Sequence, residues 1–178
     1  EKAGFDFISN LLSLNGLSSR NIDYTKVTSR PVFEENVLEI NITPTIDGVP
    51  VIDINPTTPL VSGYLQKDGK LFGLIYRSGF DNMTNTVSYP TKTLKQVQDS
   101  LVVEGKIITL GEPQSEPALL IPTAINVSTI TPSLLFVSEK PEMLLPIYVL
   151  TGVAQTEQGQ VPVYIYIPSV NSKYVRAL

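Results

Sequence analysis

Two side chains that carry much of enzyme chemistry are missing: the 178 residues include no histidine and no cysteine. Imidazole is the usual general base, the usual partner of a serine nucleophile and the usual ligand of catalytic zinc. Thiol nucleophiles and thiolate metal sites need cysteine. The glycine patterns that cradle phosphates, G-x-G-x-x-G and G-x-x-x-x-G-K-[ST], do not occur. No serine stands three residues before a lysine, so the S-x-x-K nucleophile pattern is absent too. The reading is a chain that is not an enzyme, with no catalytic residues, no metal ligands and no cofactor.

Carboxylates and tyrosines remain as candidates. Asp47 and Asp53 flank an extended stretch, and Glu34, Glu35 and Glu39 form a small acidic cluster. Acid hydrolysis of a glycoside needs two acids converging on one cleft, and calcium needs several oxygens from a short loop. Asp47 precedes Gly48 and Asp68 precedes Gly69, where turn geometry already accounts for an aspartate. All of these acids are expected in turns or on the surface. Tyr164 and Tyr166 alternate with aliphatic residues along one segment, and Tyr148 with Leu150 is expected on the same face from a neighbouring strand. Such a face is either covered by a helix or left as an aromatic surface for a partner protein. Tyr148, Tyr164 and Tyr166 are therefore the candidate binding residues. Asn41, Asn82 and Asn126 each open an N-x-[ST] triplet, a pattern that chance produces readily here.

The elements that would position these groups are mostly strands. Residues 146–154 and 161–167 read as a terminal hairpin across the polar loop 155–160, and Val163-Tyr164-Ile165-Tyr166-Ile167 is entirely β-branched or aromatic. In Val37–Ile46, Leu38, Ile40 and Ile42 alternate with Glu39, Asn41 and Thr43, a half-buried strand. Asp47-Gly48 makes a tight turn, and residues 60–66 and 71–77 form a hairpin with Asp68-Gly69 at its tip. Strands are also expected over 106–110, 124–130 and 133–137, the last two parted by Pro132, and Pro31 ends an extended segment begun at 24. Two amphipathic helices are expected. One spans residues 3–14; the other spans 91–103, with Thr93 as cap and Leu94, Val97, Leu101 and Val102 as its apolar stripe. Residues 78–90 join two halves and 111–122 form a linking loop. Each half then runs helix, loop, antiparallel strands. The expected class is α+β with two helix-on-antiparallel-sheet halves, residues 1–89 and 90–178.

Composition narrows the partners. With 42% hydrophobic and 17% charged residues the chain can bury a core. A net charge of -4, with the basic residues scattered, excludes nucleic acid and disfavours anionic membrane surfaces. No apolar run approaches the roughly 20 residues that span a bilayer. The chain opens at Glu1 without a methionine, and a signal or membrane anchor is expected upstream of it.

Asp47-Gly48-Val49-Pro50-Val51, the Asp68-Gly69 hairpin, and Leu144-Leu145-Pro146-Ile147-Tyr148 leading into a tyrosine-rich last strand resemble the extracytoplasmic domains of Gram-positive regulators of the YycI and YycH type. More broadly they resemble PepSY-like modules, which pair a helix with an antiparallel sheet. The sequence has no tryptophan, where such domains commonly carry an aromatic of that kind in the final hairpin. The resemblance implies a non-enzymatic, extracytoplasmic protein-interaction domain, tethered to a bacterial membrane and acting on a protein partner such as a membrane sensor. The alternatives are a structural or adhesive cell-surface module and a PepSY module acting as a protease inhibitor.

Overall fold

A computed structural model describes residues 6, 10, 22–32, 37–77, 79, 88–110, 121–139 and 142–171, without the side chains of 22–29 and 109–110. The helix expected over 3–14, apart from residues 6 and 10, lies outside these residues, as does most of the joint at 78–90 and of the loop at 111–122. The chain divides into two units. The first gathers Glu1–Asp53, Thr58–Thr84 and Phe136–Met143; the second gathers Ile54–Thr57, Asn85–Leu135 and Leu144–Leu178.

Two helix-on-sheet halves are not what forms. The described residues hold nine strands and one helix, and the described elements of the first unit are all strands. Strand content exceeds expectation because prolines interrupt less than their chemistry implies. Strand β1, Ile22–Val32, runs through Pro31, and β7, Ala124–Val137, runs through Pro132 instead of breaking into two. Proline lacks an amide proton, so a strand tolerates it at a sheet edge or beside a bulge.

In the first unit β1 pairs with β2, Val37–Ile46; β2 pairs with β4, Val61–Gln66; and β4 pairs with β5, Leu71–Tyr76. Strand β3, Val49–Ile52, folds back on the end of β2 through Asp47 and Gly48, whose φ angles of 50° and 76° suit a two-residue hairpin turn. All these pairings are antiparallel. The alternation read in β2 decides which residues meet. Leu38, Ile40 and Ile42 stand opposite Leu65, Gly63 and Val61, and Ile40, Ile42 and Val61 are fully buried.

The other face of β2 is polar but not solvated. Glu39 stands opposite both Arg30 of β1 and Tyr64 of β4 and is 5% exposed. The Arg30 guanidinium donates to its Oε2, and the Tyr64 hydroxyl donates to its Oε1 at 2.9 Å. One residue pair along, the Ser62 hydroxyl donates to Asn41 Oδ1 at 2.8 Å. Burial pushes the Glu39 carboxyl up, but the hydrogen bonds from Arg30 and Tyr64 and the charge of Arg30 outweigh it, so its pKa lies below the usual value. Burial, and then the bond to Glu39, raises the Tyr64 phenol. Asp53 is buried as well and is held by Arg77. The expectation that the acids all lie in turns or on the surface thus fails for Glu39 and Asp53. A buried carboxylate is tolerable here because an arginine reaches it from a neighbouring strand or loop.

In the second unit the strand order is β7, β8 (Met143–Thr156), β9 (Gly159–Pro168), β6 (Lys106–Leu110). Strands β8 and β9 pair over ten residue pairs, from Ile147 with Pro168 to Thr156 with Gly159. Only Glu157 and Gln158 form the turn, shorter than the loop expected over 155–160, and Gly159 takes a φ of 108°. Helix α1, Leu94–Glu104, lies over this sheet. Its Val97 is buried on Leu150, Ala154, Val163, Ile165 and Ile167. Strand β7 contributes Ile125, Val127 and Ile130 to the same cluster. The step from 127 to 130 is odd, so the in-out alternation slips by one residue between them, the signature of a bulge. Gly152 of β8 lies against this region: a Cβ there would stand 2.0 Å from the Asn126 carbonyl oxygen and 2.9 Å from Val127 Cα.

Two outcomes follow from these contacts. Gly152→Ala places a methyl inside backbone atoms, so β7 must part from β8; a loss of about 1–3 kcal/mol in urea unfolding is expected, and an unchanged midpoint would refute the close approach. The Glu39 pKa is depressed on folding, so its contribution is full above the unfolded value near 4.5 and is lost as the pH falls through the folded value. Stability measured from pH 7 to pH 3 should therefore fall less steeply in Glu39→Gln than in the parent. Because Arg30 is largely solvated, the substitution should cost only about 1 kcal/mol at pH 7.

Candidate functional site

The helix is positioned by chemistry at both ends. The Thr93 hydroxyl accepts from the Gln96 amide at 3.3 Å, and the Gln96 side chain accepts from the Thr93 amide at 2.8 Å, a reciprocal capping box. At the other end Gly105 donates its amide to the Leu101 carbonyl, and a Cβ on it would meet that oxygen at 2.4 Å. Only glycine closes the helix this tightly.

Lys92, just before the cap, fastens the helix to the sheet. It is 5% exposed. Its amide donates to the Ser169 carbonyl at 2.7 Å, beside a bridge between Thr91 and Val170. Its ammonium donates to Glu104 Oε2 and, at 2.9 Å, to the Pro168 carbonyl. Its own carbonyl accepts from the Tyr148 hydroxyl at 2.8 Å. Lys92 thus joins the strand end after β9, the last helical residue and β8.

The three candidate tyrosines do not converge. Tyr148 stands opposite Ile167 and Leu150 opposite Ile165, on the face that the helix covers. Tyr166 stands opposite Val149 and Tyr164 opposite Thr151, on the reverse face. Strict period-2 alternation makes this unavoidable once the register is set, since a slip of one residue exchanges the faces. Tyr166 is 5% exposed, while Tyr148 and Tyr164 are half-buried. The shared aromatic face expected from the sequence is absent, and the Tyr148 hydroxyl is engaged by Lys92.

What the second unit does present is a trough along the helix. Leu101, Val102, Gly105, Ile107, Ile125 and Ile165 are among the residues lining a space of about 420 Å³. Past Leu101 it is followed by a second space of about 190 Å³ against Val127, Ile130 and Leu150. The helix stripe accounts for it. Of the four expected apolar positions only Val97 is buried, Leu101 is half-buried, and Leu94 and Val102 are exposed, Val102 at 94%. The helix therefore covers β9 while leaving the flank toward β7 open.

Sequence reasoning missed Lys92 and Glu104, although a signal was present. A lysine before the first turn and a glutamate in the last oppose the helix dipole; such a reversed pair is explained when each charge answers the other. The trough offered no comparable signal, because it depends on where the helix rests. Among the described residues no group of three or more His, Cys, Asp or Glu side chains could hold a metal ion. Of the asparagines opening N-x-[ST] triplets, Asn41 is half-buried and bonded to Ser62, Asn126 is exposed, and Asn82 lies outside the described residues.

Lys92→Met strands Glu104 and the Pro168 carbonyl, and should cost about 3–5 kcal/mol. Tyr148→Phe loses one hydrogen bond to a carbonyl and should cost about 1 kcal/mol. Urea unfolding of the two variants checks that order, and equal losses would contradict the fastening role of the ammonium.

Comparison with known proteins adds one likeness. No family model matches the chain, and no curated protein matches it. Among solved structures it is similar to the Bacillus megaterium YpeB C-terminal domain, at 10% sequence identity and a TM-score of 0.41, over 91% of this chain. The chain spans 63% of the length of that structure.

Proposed function

We propose that the chain is a non-enzymatic protein-interaction domain working outside the cytoplasm, tethered to a membrane through a segment beyond this sequence. The observation that carries the interaction is the trough beside α1, whose apolar floor of Leu101, Ile125 and Ile165 opens to a rim that includes Val102 and Ile107. Exposed apolar side chains gathered on one flank of a fixed helix are the usual mark of a docking surface. Its occupant is an apolar segment of a protein partner, a membrane sensor in our reading. The extracytoplasmic setting and the tether rest on the sequence resemblance to YycI, YycH and PepSY-like domains. No described helix is long and apolar enough to cross a membrane.

The test places a photo-reactive amino acid at Gln98, an exposed residue lining the trough, in the natural full-length protein within its own membranes. A discrete protein adduct is expected. Val102→Asp should abolish it without unfolding the domain, because Val102 is almost wholly in solvent. An adduct indifferent to that charge, or none at all, defeats the proposal.

A further inference from the structure

Three described strands end the ladders of the two units, and they are not alike. Strand β1 contains Lys26, Arg30 and Pro31, and β6 opens on Lys106 and carries a register shift between Ile107 and Thr109. Charges, proline and bulges are the devices that keep a strand edge from recruiting another chain. Strand β5, Leu-Phe-Gly-Leu-Ile-Tyr, has no charge and no proline, and its only irregularity is the register shift near Phe72. Among the described residues it pairs with β4 alone. Phe72 is 58% and Ile75 47% exposed.

The hydrogen-bond phase shows what such an edge offers. The Arg77 amide donates to the Leu60 carbonyl at 3.0 Å. Narrow and wide pairs alternate in an antiparallel ladder, so the pairs Ser62 with Ile75 and Tyr64 with Gly73 exchange bonds inward. Leu74, paired with Gly63, then turns its N–H and C=O away from β4. Only an extended backbone in register answers donors and acceptors at that spacing. Charge narrows the choice further. Lys70 and Arg77 bracket the strand in a protein of net charge -4. Full antiparallel overlap of β5 with its own copy sets Lys70 of one copy against Arg77 of the other, twice, and like charges directly opposed are unfavourable.

We propose that β5 is a receiving edge for an extended segment of a partner protein, apolar over about six residues and acidic at both ends, added antiparallel or parallel as a further strand. The proposal rests on the interaction-domain reading but uses the first unit, away from the trough of the second. Two synthetic peptides test it by fluorescence anisotropy: one alternates valine and threonine with glutamate at both ends, and the other has the same centre with lysine at both ends. The glutamate-ended peptide should bind the protein at least ten-fold more tightly than the lysine-ended one. N-methylation of its alternate amides or the surface change Ile75→Lys should abolish binding, and Lys70→Glu should cancel the preference. Equal binding of the two peptides, or binding that survives both N-methylation and Ile75→Lys, overturns the proposal. So does a concentration-dependent dimer lost in Ile75→Lys, which would give the edge to a second copy. Because the Gln98 adduct probes the other unit, losing that adduct while the peptide still binds sinks the trough alone, and the converse result sinks the β5 edge alone.

Discussion

The packing of the second unit depends on strand β9 having neighbours on both sides. It pairs with β8 along its whole length and with β6 at Val163 to Tyr166. That double pairing satisfies its backbone and fixes which side chains point where. Val163, Ile165 and Ile167 go to one face, at most 2% exposed, where Val97 and Leu101 of the helix meet them. The helix is then held by its ends more than by its middle. Val97 is its one fully buried side chain, and a helix with so little burial needs the capping box at Thr93 and the buried Lys92 to stay seated. A strip of apolar surface along its flank is the result, since the stripe is wider than the contact it makes.

The first unit solves a different problem. Its central strand β2 is buried on both faces at several positions, although one face carries Glu39 and Asn41. The carboxylate is answered across the sheet by Arg30 and Tyr64, one residue from each adjoining strand. Such a row couples three strands laterally and penalises any slip between them, because a shift by one pair would leave a charge without its partner. Specificity of pairing, rather than net stability, is the natural use of so costly an arrangement.

Much of the local structure was legible in the sequence. The period-2 alternation of Val37–Ile46, the Asp-Gly turns and the Thr93 cap each express a backbone rule that acts within a few residues, and each formed as expected. What was not legible depends on separations that sequence spacing does not encode. The face of Tyr148 relative to Tyr164 and Tyr166 hangs on the β8–β9 register, and that register follows from a two-residue turn where a longer loop was expected. Buried acids were misjudged because their partners, Arg30 and Arg77, stand 9 and 24 residues away in sequence. The count of helices and strands went astray because prolines were read as strand ends. An edge or a bulge, features of assembly rather than of composition, removes that penalty.

Gly152 has a consequence beyond its own contacts. A strand whose residues alternate evenly can slide past its neighbour by two positions and still keep its apolar side inward. Here the carbonyl of Asn126 fits against β8 only where no side chain stands, and β8 contains a single glycine. The missing methyl works as a keyway that admits β7 in one alignment, so the longest strands of the unit are guarded against mispairing by the absence of an atom.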